Sequence, residues 1–145
     1  MNEARWLRST AFESVATHKK VRSQPVAEKL VFMVTHGPAH PEHVTIPFVM
    51  AVAALASDVE AVIGLQAEGV EIAVKGRSDS VTAEGFPPLS KLMSDYAELG
   101  GKLLLCGPCV KARHIEATDL AENSEVVAAA RFVAEITSAT NALVY

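Results

Sequence analysis

Short apolar runs alternate with segments of helical periodicity along most of this chain. Residues 29–35 (KLVFMVT) and 59–65 (VEAVIGL) are short and mostly apolar, as is typical of strands buried on both faces. Three further runs have the same character: 102–106, 124–128 and 142–145. Strands of this kind that alternate with helices predict a parallel sheet covered on both sides.

The helices are predicted from periodicity and from their end signals. Residues 44–56 (VTIPFVMAVAALA) form a charge-free apolar run that suits a buried helix, with Thr45 as its N-cap and Pro47 in its first turn. A second helix is predicted over 89–99, where Gly100-Gly101 stops it. A third helix is predicted to begin at Pro108, with Gly107 before it, and a last helix to include Phe132–Ala139.

Two regions of the chain depart from this alternation. Residues 1–24 form an N-terminal arm in which basic residues surround a few apolar ones. The arm either packs loosely or docks on a neighbouring subunit. Residues 66–87 contain several glycines and end at a Pro-Pro pair, so we expect mostly loop with a short helical piece near 70–75.

Residues 25–145 are therefore predicted to form one α/β domain. The best fit is a flavodoxin-like three-layer domain with a five-stranded, mostly parallel sheet. Reactive loops gather at the carboxyl ends of such strands. His36 and Cys106 both lie at the carboxyl ends of predicted strands, and a 2-1-3 strand order would bring them close together.

Net charge, apolar run length and cysteine count limit which partners and which cell compartment are expected. The chain has 145 residues and a net charge of −4, so no large basic surface for nucleic acid is expected. The run 44–56 is too short to cross a bilayer, and residues 1–20 lack the apolar stretch of a secretory signal. Two cysteines in such a chain predict a cytoplasmic protein with reactive or metal-binding thiols.

The tetrapeptide Cys106-Gly107-Pro108-Cys109 is best known from thioredoxins. A redox dithiol needs this spacing at the start of a helix. Thioredoxins also carry a cis-proline downstream and usually a tryptophan before the first cysteine. The sequence has no proline after Pro108 and has Leu105 before the motif, so a thioredoxin fold is not expected.

The stretch GGKLLLCGPCVKARHI resembles the DsrE/DsrF-like family of sulfur-relay proteins, which includes TusD-type proteins. The family carries a cysteine at the end of a buried strand and an arginine seven residues later, and Cys106 and Arg113 hold these positions. Further matches are LVFMVTHGP, VTIPFVMAVAALA, VIGLQAEGVEIAVKG and NALVY, so the resemblance covers roughly residues 27–145. It implies a homotrimer or hexamer whose cysteine accepts sulfur as a persulfide and passes it to a partner protein.

Two residues depart from the family pattern. Cys109 is an additional thiol, and it could resolve a Cys106 persulfide or disulfide, share a metal, or simply pack in the first turn. His114 stands where glycine is usual after the arginine, and histidine tolerates a left-handed helix end better than most residues do.

Sulfur transfer needs a thiolate, so the pKa of the thiol matters. A helix N-terminus at Cys106 is expected to lower its pKa to about 7–8. Lys102, Lys111 and Arg113 could lower it further. The alternative is that Cys106 is an inert core cysteine, because free cysteine is often buried.

Three histidines, His36, His40 and His43, lie close together in HGPAHPEH. They could join the cysteines in a zinc site, although their spacing matches no standard pattern, and we expect neither a metal nor a cofactor. We expect His36 to assist Cys106 and the other two to face water. The leading function is a sulfur carrier, and the alternatives are an oligomeric scaffold of the same fold or a dithiol redox protein.

Overall fold

The computed structural model describes residues 28–145, so the arm predicted over 1–24 lies outside the described residues. The five strands are β1 Lys29–Val34, β2 Glu60–Leu65, β3 Leu103–Cys106, β4 Ser124–Val127 and β5 Asn141–Val144. The four α-helices are α1 Pro41–Ala56, α2 Leu89–Glu98, α3 Gly107–Ala112 and α4 Ala129–Ser138. The 3₁₀ segments are Ala67–Ala73, Arg77–Ser80 and Ala117–Asp119.

The five strands form one sheet in the order β4-β3-β2-β1-β5, and every neighbouring pair is parallel. The predicted three-layer α/β class is therefore confirmed. The strand order, however, is not 2-1-3, because β2 pairs with both β1 and β3. Since neighbouring strands are about 4.8 Å apart, β1 and β3 are separated by roughly 10 Å.

The core has two unequal halves on the two faces of the sheet. Alternate residues of the central strands, such as Phe32, Ile63 and Leu103, belong to a large cluster that also contains the buried faces of α1 and α2. The opposite face carries a smaller cluster in which Phe132 of α4 packs near Leu104. Burial on both faces explains why the central strands read as almost continuous apolar runs.

Tyr96 ties α2 to the amino-terminal edge of the sheet. Its ring is fully buried, and its hydroxyl accepts the Ile63 N–H at 3.1 Å and lies 2.8 Å from the Lys102 carbonyl oxygen. Burial raises the pKa of Tyr96 above its usual range. A Cβ at Gly101 would lie 2.4 Å from this ring, so glycine at the end of α2 lets the chain pass close to the tyrosine.

The start of α1 differs from the prediction. The helix begins at Pro41 rather than at 44, because proline is well suited to a first helical position and its missing N–H costs nothing there. Thr45 is therefore not an N-cap. It is fully buried, and its hydroxyl has no hydrogen-bond partner within residues 28–145. Pro47 lies inside the helix rather than in its first turn.

The region 66–87 contains more regular structure than expected. The 3₁₀ segment Ala67–Ala73 begins immediately after β2, and a second one covers Arg77–Ser80. The first of these, called the 67–73 segment below, is largely buried. It contacts α3, β3 and β2, which places it beside the two cysteines.

Candidate functional site

The two cysteines lie at the carboxyl edge of the sheet. Cys106 is the last residue of β3, and Cys109 is in the first turn of α3. Both are free thiols and both are half-buried. The Gly-Pro pair between them ends the strand, and a helix of six residues begins at Gly107, one residue before the predicted start at Pro108.

A backbone amide from the 67–73 segment reaches one of the thiols. The N–H of Ala67 donates to Sγ of Cys109 at 3.3 Å. Ala67 has a φ of +50°, in the left-handed region that a residue with a side chain rarely adopts. The pair of thiols thus lies where three elements meet: the end of β3, the start of α3 and the 67–73 segment.

Arg113 joins α3 to the same segment. Its Nε lies 3.2 Å from Oε1 of Glu71, and its Nη1 donates to the Cys109 carbonyl oxygen at 3.3 Å. Arg77 approaches the other oxygen of Glu71 at 3.6 Å. Arg113 therefore supports the backbone around the cysteines, and its charge is paired with the carboxylate of Glu71.

The surroundings of Cys106 reverse the expected direction of its pKa. Burial raises the pKa of the Cys106 thiol, and its interaction with the Cys109 side chain raises it further. The backbone N–H of Cys109 and the charge of Arg113 act in the opposite direction but are outweighed. The predicted lowering to about 7–8 is thus wrong, because a six-residue helix start does not offset the loss of solvent.

The other basic residues do not contribute as predicted. Lys111 is exposed on α3 and is not among the groups that shift the pKa of Cys106. Lys102 precedes β3, so the length of the strand separates it from Cys106. His114 does adopt a left-handed conformation, with a φ of +53°, and the helix end closes through N–H bonds from His114 to Lys111 and from Ile115 to Val110.

The three histidines form a cluster of their own. The ring of His36 lies 5.0 Å from that of His40 and 4.4 Å from that of His43, measured between centroids. Across residues 28–145, no three His, Cys, Asp or Glu side chains are arranged to hold a metal ion. His36 follows β1, which is separated from β3 by β2, so its predicted assistance to Cys106 stays a prediction.

Two residues of the site were not predicted from the sequence. Ala67 acts through its backbone amide, and an alanine carries no chemical signal. Glu71 lies 42 positions before Arg113 and is one of many acidic residues. The useful signal was their position directly after β2, since the segment following a parallel strand belongs to the carboxyl edge.

The comparison with protein families agrees with this architecture. The model of the DsrE/DsrF-like family matches residues 28–145. This chain belongs to the DsrE/DsrF-like family. The parallel sheet with helices on both faces is the fold expected of this family.

Two relatives and two proteins of known structure are similar to this DsrE/DsrF-like protein. The uncharacterised protein MJ0760 of Methanocaldococcus jannaschii is 30% identical over 73% of this chain, but the match spans only 38% of MJ0760. The uncharacterised protein MJ0989 of the same organism is 27% identical over 81% of this chain and 99% of its own length.

The solved structures establish the fold. The Escherichia coli protein YchN covers 81% of this chain and 99% of its own, with a TM-score of 0.70 and 18% identity. MTH1491 of Methanobacterium thermoautotrophicum, a protein of unknown function, has the same coverage, a TM-score of 0.58 and 19% identity. None of the helices described in residues 28–145 is long and apolar enough to cross a membrane.

Proposed function

We propose that this protein is a cytoplasmic sulfur carrier that accepts sulfur as a persulfide at the Cys106–Cys109 pair and passes it to a partner protein. The observation that carries the proposal is the pair itself: two free thiols at the carboxyl edge of a DsrE-type sheet. Both side chains are half-buried, so a donor could reach them while bulk water is partly excluded. Free thiols also suit a reducing compartment.

The transfer is an exchange between sulfur atoms. A cysteine thiolate attacks the outer sulfur of a donor persulfide, R–S–SH, and forms Cys–S–SH. The S–S bond of the donor breaks, and the donor leaves as the thiolate R–S⁻. Delivery to an acceptor thiolate repeats the exchange, so neither step needs an oxidant or a metal.

The test is sulfur uptake by the reduced protein. Incubation with glutathione persulfide, followed by intact-mass spectrometry, is expected to add the mass of one sulfur atom and to leave the doubly substituted variant Cys106→Ser/Cys109→Ser unchanged. Reduction with dithiothreitol should remove the added mass, since a persulfide is reducible. A wild-type protein that gains no sulfur from persulfide or polysulfide donors would refute the proposal.

A dithiol redox protein is the second candidate, because the two free thiols lie three residues apart at one strand–helix junction. Mild oxidation would then form a Cys106–Cys109 disulfide that a thiol reductant reverses. Failure of the pair to close under diamide would exclude this function. If Cys106→Ser and Cys109→Ser alter neither sulfur uptake nor oxidation but only stability, the scaffold function is favoured.

We also propose that the carrier is a homo-oligomer that meets sulfur donor and acceptor proteins as partners, as the family resemblance implies. Support comes from large apolar side chains left exposed on α4 and β5, with Val133 at 58%, Ile136 at 40% and Val144 at 72% exposure. Light scattering coupled to size exclusion is expected to give a trimer or hexamer. A monomer at micromolar concentration would contradict it.

A further inference from the structure

The two thiols of the pair have different surroundings. Sγ of Cys109 accepts a hydrogen bond from the Ala67 N–H at 3.3 Å. A hydrogen bond donated to sulfur stabilises the charged thiolate more than the neutral thiol. This donor is a backbone amide, so it cannot lose its proton or rotate away as a side chain could.

The amide is held in place by the rest of the 67–73 segment. A Cβ at Gly69 would lie 2.3 Å from the Val34 carbonyl oxygen, so the segment is seated directly against β1. Glu71 ties the same segment to α3 through Arg113. A left-handed alanine costs about 1–2 kcal/mol, and these contacts are what fix Ala67 in that conformation.

Cys106 also interacts with a backbone amide, the N–H of Cys109, but burial outweighs that interaction. Burial and the neighbouring Cys109 side chain both raise the pKa of its thiol. Arg113 could favour a Cys106 thiolate, but its guanidinium is shared between Glu71 and the Cys109 carbonyl. These effects oppose a thiolate at Cys106, whereas the Ala67 N–H at 3.3 Å from Sγ favours one at Cys109.

We propose that Cys109, not Cys106, is the thiolate that attacks the sulfur donor, and that the Ala67 amide stabilises it. This assignment deepens the proposed function and rests on it for the identity of the donor. Cys106 then receives the sulfur from Cys109 in a second exchange.

Both steps balance without an added reagent. In the first, Cys109–S⁻ attacks R–S–SH, giving Cys109–S–SH and R–S⁻. In the second, Cys106 attacks the outer sulfur, giving Cys106–S–SH, and the Cys106 proton passes to Cys109 as its thiol re-forms. Sulfur is exchanged between thiols in both steps, and the total number of electrons on sulfur is unchanged.

The order of ionisation can be measured on the wild-type protein. Reduced protein is treated with limiting iodoacetamide between pH 6 and 9, and the two alkylated forms are quantified by peptide mass spectrometry. Since the thiolate is the form that reacts, we expect Cys109 to be modified several-fold faster than Cys106 at neutral pH. Equal rates, or faster alkylation of Cys106, would overturn the assignment.

Matched controls separate ionisation from access. In urea the two rates should become similar, because the Ala67 amide then no longer contacts Cys109. Cys106→Ser is expected to retain most of the alkylation rate of Cys109, whereas Cys109→Ser leaves a slowly reacting Cys106. Ala67→Gly keeps the amide and relieves the left-handed conformation, so it should preserve the preference for Cys109.

Uptake of sulfur distinguishes this assignment from the proposed function. With glutathione persulfide, Cys106→Ser should gain one sulfur quickly on Cys109, and Cys109→Ser should gain it at least several-fold more slowly. If the wild-type protein takes up no sulfur, the carrier function fails, while the alkylation order still decides which thiol ionises first. If uptake occurs but Cys109→Ser reacts as fast as wild type, the carrier stands and the assignment fails.

Discussion

Substituting Gly69 by alanine is expected to disturb the site from a position that touches neither cysteine. The added methyl carbon would lie 2.3 Å from the carbonyl oxygen of Val34 and 3.1 Å from its carbonyl carbon. Both are backbone atoms of β1, so no side-chain rotation relieves the overlap. Gly69 does not have a positive φ, and the effect is therefore steric rather than conformational.

The size of the effect follows from these distances. Comfortable contacts between carbon and a carbonyl oxygen begin near 3.3 Å, so the 67–73 segment must move by about 1 Å. Overpacking of this kind costs about 1–3 kcal/mol of unfolding free energy. Ala67 lies two residues away, and the same shift would lengthen its 3.3 Å contact with Sγ of Cys109 beyond hydrogen-bonding range.

Two measurements on Gly69→Ala check this reasoning. Urea unfolding should show the lower stability, and limiting alkylation should show a smaller preference for Cys109 over Cys106. Gly85→Ala is the matched control, because Gly85 has a φ of +83° with nothing within 4 Å of an added Cβ. It should cost about 1 kcal/mol and leave the alkylation preference unchanged. A Gly69→Ala protein that matches wild type in both measurements would refute the argument.

Three further predictions concern buried polar groups. Tyr96→Phe leaves the Ile63 N–H without its acceptor and should lower the unfolding free energy in urea by about 1–3 kcal/mol. Thr45→Val removes a buried hydroxyl that has no partner within the described chain, so the thermal midpoint should rise, and a fall would contradict this. Burial raises the pKa of Glu135, but its bonds from Lys29 and Arg131 outweigh this and lower the pKa overall. Its stabilising effect is therefore present above its unfolded pKa and lost as pH falls through the folded pKa. Glu135→Gln should be less stable at pH 7 and lose less stability than wild type between about pH 5 and 3, as followed by urea unfolding at each pH.

The secondary structure could largely be predicted from the sequence, because buried strands and helix faces require apolar residues at regular positions. Central strands covered on both faces must be apolar throughout, and all five were predicted with ends within about two residues. The helix α2 was predicted from the spacing of Leu89, Leu92 and Tyr96, which are its buried residues. The start of α1 was misplaced because Pro41 and Thr45 are both plausible start signals, and only tertiary packing buries one of them.

The site could be predicted only in part for a different reason. Cys106 and Cys109 lie on one strand–helix junction, so their proximity is a local property of the sequence. Their relation to Ala67 and Glu71 depends on β2 lying beside β3, and no local pattern fixes that order. The predicted lowering of the Cys106 pKa was wrong for the same reason. The burial that raises this pKa comes from residues distant in sequence.

Local patterns in the chain were enough to predict the succession of strands and helices, the two thiols at a strand end, and the resemblance to one family. These properties are local, because apolar periodicity and turn residues act over a few positions. The tertiary structure decided the strand order, the contact of the Ala67 amide with Cys109, and the engagement of Arg113 by Glu71. Those contacts join residues about 40 positions apart, and only the packed sheet brings them within hydrogen-bonding distance.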